Sequence, residues 1–181
     1  MAVNSNEHKL LKQQIRENYG RVLYSYTAHI KMAHLLEKKD NYLKFIQIVL
    51  STLTGSSLFV LMFSDQKVIA IIGTIISIIL IIITGLSKTF HFSERAFQHV
   101  LAHNSYWKIK EAYTSLIVDF DRLELSNIII KRDDLLEQTA MINQVYPKTS
   151  AKAYKLAQQA LQVEEEQTFK KGEVEELLPK L

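Results

Sequence analysis

Two long runs of apolar residues dominate the middle of the chain, at residues 45–63 and 68–86. Each run is about 19 residues long and contains no Asp, Glu, Lys, Arg or His. At a rise of ~1.5 Å per residue, a helix of this length matches a hydrocarbon core of ~30 Å. The polar residues 64–67 between the runs leave room only for a tight turn. The pattern predicts a two-helix transmembrane hairpin whose flanks lie on one side of the membrane.

A soluble protein with an unusually apolar helix pair is the main alternative to this hairpin, because the mean hydropathy of the whole chain is close to zero. The apolar residues, however, are concentrated in one block between charged flanks. A buried helix of a soluble protein rarely stays apolar on all faces over this length. We therefore predict a membrane protein. A cleaved signal peptide is excluded by position, since the first run begins near residue 45.

Amphipathic helices are predicted on both sides of the hairpin. In residues 7–40, apolar and aromatic side chains recur at steps of three and four, which is typical of a helix with one apolar face. After the hairpin the same spacing returns as the seam of a helix pair or coiled coil. The seam positions are Tyr106, Ile109, Tyr113, Leu116, Phe120 and Leu123. The sequence therefore predicts an all-α membrane protein, with the flanking helices forming a cytosolic helical bundle.

The segment at residues 87–163 is predicted to consist of further cytosolic helices. Because no proline or glycine lies between Gly85 and Pro147, we expect the second membrane helix to continue unbroken into the cytosol. The β-branched run at residues 128–130 lacks helical spacing and predicts a break. Residues 131–134 then resemble a turn, with Asp133 as a possible N-cap of the next helix.

The end of the chain is predicted to contain one more helix and a tail. Pro147 ends the preceding helix, and Thr149 or Ser150 is expected to cap a last helix from Ala151 to roughly Val163. Residues 164–181 are a charged tail to which we assign no regular structure. With 181 residues, the chain has room for a hairpin and a modest bundle, so we treat residues 1–181 as a single unit.

Composition and charge restrict the function. The absence of Cys excludes disulfides, thiol nucleophiles and Cys-based zinc sites, and it agrees with a reducing compartment. The net charge of +3 is mild and does not indicate direct binding of nucleic acid. By the positive-inside rule the charges place both termini in the cytoplasm, because the loop between the runs carries only Lys67. The flanking cations are Lys31, Lys38, Lys39, Lys44, Lys88 and Arg95.

No catalytic signature occurs in the chain, so we predict no catalytic residue, no cofactor and no enzyme activity. His91, Arg95, His99 and His103 fall at intervals of four and predict a stripe along one helix. His99 and His103 have the spacing of a two-histidine metal pair, but no carboxylate or Cys completes a ligand shell. We therefore predict no metal site and interpret the stripe as a contact with lipid headgroups.

Small and polar residues within the two apolar runs are the candidate functional positions. The first interpretation is that they let the helices approach closely. The second is that some of them line a polar path once several hairpins assemble. The sequence favours close packing, and the two interpretations are compatible. The positions are Gln47, Ser51, Thr54, Gly55, Gly73, Thr74, Ser77 and Thr84.

The order of these features resembles the SLATT family of bacterial proteins with two transmembrane helices. The resemblance covers nearly the whole chain and includes three local marks. They are SKTF at residues 87–90, YWK at residues 106–108 and YPKTSAKAY at residues 146–154. The charged tail after Val163 has no counterpart in this resemblance.

The resemblance implies a membrane effector of an antiphage system based on nucleotide signalling, located in the bacterial inner membrane. It implies a partner such as a neighbouring nucleotide synthase or reverse transcriptase, or the signal molecule that such a partner makes. Our leading hypothesis is that the cytosolic helices associate or rearrange on a signal and so open or assemble a pore between hairpins, which compromises the inner membrane. A single hairpin has too few helices to enclose water, so such a pore requires a homo-oligomer. The alternative is a non-conducting scaffold, which uses the hairpin as an anchor and the bundle to recruit a cytosolic partner.

Overall fold

The computed structural model describes residues 2–61 and 67–174, and every regular element in these residues is a helix. The prediction of an all-α protein with two helices that could span a membrane is confirmed. A short 3-10 helix separates the third and fourth α-helices. The elements are α1 (Ala2–Leu61), α2 (Lys67–Phe90), α3 (Phe92–Val118), the 3-10 helix (Phe120–Arg122), α4 (Leu125–Val145) and α5 (Ala151–Gln162).

These helices divide into two compact units. One unit, here the bundle unit, contains residues up to 32 and from 99 onward, and the other, the hairpin unit, contains residues 33–98. The predicted turn at residues 64–66 and the tail residues 175–181 lie outside the described residues.

The hairpin unit presents apolar side chains on its outside. By length and composition, two helices qualify as membrane spans, with mean hydropathies of 1.5 and 2.9 in their most apolar windows, and neither window is buried within the protein. Ile71 and Ile81, for example, are largely exposed. A soluble protein would bury such side chains against other elements. Their exposure is what a lipid-facing helix requires.

The predicted continuity of the second membrane helix is wrong, because α2 ends at Phe90 and α3 begins at Phe92. The residue between them, His91, has a φ of 46°, which interrupts the helical path. The rings of Phe90 and Phe92 stack at 5.5 Å, and the Lys39 Nζ lies 5.8 Å from the Phe92 ring centre. The contact between Phe90 and Phe92 forms across the break. The absence of proline and glycine was therefore not sufficient to predict a continuous helix.

The predicted break at residues 128–130 and the turn at residues 131–134 are also wrong, because α4 runs through both. Ile128 is completely buried in the core of the bundle unit, and its backbone N–H donates to the Glu124 carbonyl at 3.1 Å. Burial of this side chain outweighs the weak helix propensity of β-branched residues. The interruption lies earlier, at the 3-10 helix, and Asp133 is inside α4 rather than at its start.

The prediction for the last helix is confirmed. Ser150 is the N-cap of α5, and its hydroxyl accepts a hydrogen bond from the Ala153 N–H at 3.2 Å. The helix ends at Gln162, and α4 ends at Val145, just before Pro147. The following residues, to which the sequence assigned no structure, return to α1, where the Lys31 Nζ pairs with Glu166 at 2.6 Å.

The core of the bundle unit lies among α1, α3, the 3-10 helix and α4. Of the six seam positions, five are buried there and Leu123 is packed at the edge. Tyr106 is held by a hydrogen bond of 2.8 Å from its hydroxyl to the Asn143 side-chain oxygen. The largest fully buried apolar side chains are Ile15, Tyr106, Ile109, Tyr113, Phe120 and Ile128.

Candidate functional site

Small residues bring α1 and α2 together within the hairpin unit. They surround a narrow cavity of about 170 Å³ between the two helices. Because all of the lining side chains except Leu58 are small, the two backbones can approach closely, as in other membrane helix pairs. The cavity is lined by Thr54, Ser57, Leu58, Ala70, Gly73, Thr74 and Ser77.

Gly73 is the point of closest approach. It is buried, and a Cβ atom at this position would lie 2.7 Å from the Ser57 Oγ, closer than real side chains come. Gly55 and Gly85 differ, because a Cβ at either position would meet nothing within 4 Å. The hairpin therefore requires glycine at position 73 for packing, whereas positions 55 and 85 are not restricted within one chain.

The eight candidate positions do not share one face. Gly73 is buried and four others are half-buried, whereas three are exposed on the outside of the hairpin. The half-buried positions are Gln47, Thr54, Ser77 and Thr84. The exposed positions are Ser51, Gly55 and Thr74, and Thr74 also lines the cavity. Close packing within one chain therefore accounts for the four cavity positions, Thr54, Gly73, Thr74 and Ser77, whereas Ser51 and Gly55 have no role in the single hairpin.

The hydroxyl groups of the hairpin bond to the backbone of their own helices. The Ser57 hydroxyl donates to the Thr54 carbonyl at 2.8 Å, and the Ser77 hydroxyl donates to the Gly73 carbonyl at 2.9 Å. Thr54 and Thr74 donate in the same way to the carbonyl four residues earlier. Such bonds satisfy a hydroxyl donor inside a membrane without water.

A cluster of histidines lies in the bundle unit. The Nδ1 atoms of His29 and His99 are 3.0 Å apart, so one ring donates its N–H to the other. The His103 Nδ1 lies 3.0 Å from the Tyr26 carbonyl, to which it donates, and the two rings stack at 4.0 Å. His29 and His99 are both buried. The predicted lipid-binding stripe is therefore wrong for His99 and His103, which face the interior of the protein.

Burial keeps the first member of this cluster neutral. The pKa of His29 is lowered from 6.5 to about 4, chiefly because burial disfavours the charged ring and additionally because His99 and His103 would repel it. A neutral His29 can keep its hydrogen bond to His99. If both rings were protonated, both Nδ1 atoms would be donors and the hydrogen bond would be lost.

The histidine pair predicts a loss of stability in acid. Because the folded pKa of His29 lies below its unfolded value of 6.5, the unfolded chain takes up a proton first, and stability falls between pH 6.5 and about 4. The full effect is about 3 kcal/mol. We expect His29→Gln to flatten this dependence in urea denaturation measured at several pH values. The exposed His91→Gln is the matched control and should keep the wild-type profile. Parallel profiles for all three proteins would contradict this prediction.

The sequence indicated the buried His29 and the contact of Ser57 with Gly73 only weakly. His29 fills one gap in the apolar stripe of residues 7–40, and a polar residue at such a position indicates a buried hydrogen bond. Ser57 follows Thr54 by three residues on the same face of α1. In the part of the chain that the structure describes, no group of three or more His, Cys, Asp or Glu residues is placed to hold a metal ion.

Comparison with known proteins identifies the family. A search of curated proteins and a search of solved structures found no match. The model of the SMODS and SLOG-associating 2TM effector domain family 4 matches residues 11–173. This match includes both apolar helices and nearly all of the bundle unit, and it confirms the resemblance to the SLATT family. The chain therefore belongs to family 4 of the SMODS and SLOG-associating two-transmembrane effector domains.

Proposed function

We propose that this protein is a membrane effector of an antiphage conflict system and acts by assembling several hairpins into a pore. The observation that carries the proposal is a patch of small and polar side chains on the outside of α1, here the α1 patch. It consists of Ser51, Thr52, Gly55 and Ser56, all of them exposed. Exposed polar groups do not stabilise a single hairpin in lipid. They do stabilise a helix that contacts other copies or water.

The two helices of the hairpin differ in polarity, and this difference indicates which helix faces lipid and which faces other copies in such an assembly. Residues 45–63 contain one Gln and five Ser or Thr, whereas residues 68–86 contain three Ser or Thr and no Gln. Exposed isoleucines such as Ile71, Ile78 and Ile82 occupy the outside of α2. We infer that α2 faces lipid and that the α1 patch faces neighbouring copies and the polar path.

The proposed orientation, location and partner follow from the charges that flank the hairpin and from the family. Lysines and arginines flank the hairpin on one side, which favours cytoplasmic termini and an inner-membrane location. The bundle unit then lies where a cytosolic partner, such as a nucleotide synthase or reverse transcriptase, or its signal molecule, can reach it. The protein acts by association rather than catalysis, consistent with an effector domain of the two-transmembrane type.

The proposal predicts self-contact through the α1 patch. Because the chain contains no Cys, a single introduced cysteine reports one position without interference. We expect Ser56→Cys to form disulfide-linked dimers in oxidised membranes. Ile78→Cys, on the lipid-facing side of α2, is the matched control and should stay monomeric. Equal cross-linking of both variants, or of neither, would contradict the proposed arrangement.

Membrane damage is tested in cells that carry the protein together with its flanking genes. After phage infection we expect uptake of propidium in cells with the wild-type protein. Replacing the hairpin with an unrelated two-span anchor should abolish this uptake. A scaffold would retain its protective activity after the replacement, so that result would overturn the pore in favour of the scaffold.

A further inference from the structure

A groove of about 510 Å³ lies along α1 in the bundle unit, next to the N-terminal half of α5. Its volume is within the range of ~300–1,000 Å³ that is usual for sites of small molecules. Gly20 lines it, and a Cβ atom at this position would meet nothing within 4 Å. Glycine inside a helix costs ~0.5–1 kcal/mol relative to alanine. Among the described residues no packing contact requires this glycine, and its effect is to leave the groove open.

Two aromatic rings form one wall of the groove. Tyr24 and Tyr154 stack with their centres 5.6 Å apart and their planes at 24°. Gln162 holds Tyr24 in place, because its amide donates to the Tyr24 hydroxyl at 2.8 Å. Tyr154 remains half-exposed. A planar ring can extend this stack, and stacking on tyrosine is a common way in which proteins bind aromatic ligands.

A guanidinium group lies beside the aromatic wall. The Arg21 side chain is 77% exposed, and its distance to Glu17 is 4.0 Å, which is a weak surface pair. Its other contact, to the Asn18 side-chain oxygen, is long at 3.5 Å. Arg21 can therefore turn to a phosphate or carboxylate and bind it with two hydrogen bonds. Glu17 can accept hydrogen bonds from hydroxyl or amino groups of the same ligand.

A second recess of about 170 Å³ continues the groove, since Ser25 and Thr149 line both. Lys148 lines this recess and adds a second positive charge. Thr149 directly precedes Ser150, the N-cap of α5, so the start of a twelve-residue helix lies next to the shared wall. Cations, hydroxyls and stacked rings thus meet in one continuous site.

We propose that the groove and its recess bind a small anion with a planar ring, of the nucleotide class. The ring stacks against Tyr154, and the anionic group lies between Arg21 and Lys148. The proposal rests on the proposed function, because it names a chemical class for the signal molecule that reaches the bundle unit. Binding is measured separately from membrane damage, so either proposal can fail without the other.

Calorimetric titration of the full-length protein in detergent tests the proposal. The probes are the four ribonucleoside 5′-monophosphates, together with adenosine and ribose 5-phosphate as ring-only and phosphate-only controls. We expect at least one monophosphate to bind, and the two controls to bind more weakly by about tenfold or more, because each lacks one of the two contacts. Failure of all four monophosphates to bind would overturn the proposal.

Variants then locate the binding. Gly20→Leu places a side chain in the groove at a position where a Cβ atom meets nothing within 4 Å, and it should abolish binding while leaving the helical circular dichroism and melting temperature unchanged or raised. Arg21→Gln and Tyr154→Ala should each weaken it by about tenfold. Arg16→Gln, an exposed arginine of α1 outside the groove, is the matched control. Wild-type affinity in the folded Gly20→Leu protein would place the ligand elsewhere and overturn the assignment.

Discussion

Replacing Gly73 with valine is expected to abolish effector activity while leaving the protein in the membrane. Any Cβ at this position would lie 2.7 Å from the Ser57 Oγ and 3.4 Å from the Ser57 Cβ. Valine adds two methyl groups to that Cβ, so α1 and α2 must separate or shift along each other. Overpacking of this kind costs ~1–3 kcal/mol and changes the helix contacts on which the proposed assembly depends.

The measurement is loss of phage protection and of propidium uptake at equal amounts of protein in the membrane fraction. Gly85→Val is the matched control, because the same change on the same helix meets open space. A second substitution that should restore activity provides a stricter test. Gly73→Ala should be defective, and adding Ser57→Ala should restore activity, since it removes the Oγ and leaves an ordinary contact at 3.4 Å. Equal activity of Gly73→Val and Gly85→Val would show that close approach of the helices is not needed.

Phe120→Ala is expected to destabilise the bundle unit by ~3–5 kcal/mol, the usual cost of deleting a buried aromatic side chain. Phe120 is fully buried. The His8 ring packs edge-on against it at 4.7 Å, and the Lys12 Nζ lies 5.1 Å from its centre. Because domains are stable by only ~5–15 kcal/mol, this loss removes a large part of the total.

Urea denaturation in detergent, followed by circular dichroism, measures this effect. Val118→Ala is the matched control, because Val118 lies two residues earlier and is 71% exposed. Its expected change is within ~0.5 kcal/mol. A midpoint for Phe120→Ala equal to that of Val118→Ala would mean that the 3-10 helix does not anchor the core. It would also weaken the view that this segment, rather than residues 128–130, sets the boundary between α3 and α4.

Two predictions from local sequence were wrong. The absence of proline and glycine did not prevent the break at His91, and the low helix propensity of residues 128–130 did not interrupt α4. The absence of proline and glycine permits a continuous helix but does not enforce one, and the stacking of Phe90 on Phe92 stabilises the interruption at His91. In α4, the low helix propensity of Ile128 is a matter of tenths of a kcal/mol, whereas its burial contributes more than ~1 kcal/mol. In both cases contacts made by the side chains decided the backbone conformation.

Properties that depend on neighbouring residues along the chain could be predicted from the sequence. Length and hydropathy define two membrane helices, and Ser150 and Pro147 define the ends of α5 and α4, because span length and capping are local. Steps of three and four likewise place Tyr113 and Phe120 on one helical face.

Which helix faces meet could be seen only in the folded protein. The His29–His99 pair joins residues 70 apart, and the groove joins Arg21 to Tyr154. No local pattern distinguishes Gly73, which is pressed against Ser57, from Gly85, which faces open space. The physical reason is that periodicity gives the direction of a side chain around its own helix, whereas its partner depends on how the helices pack, which is a property of the whole chain.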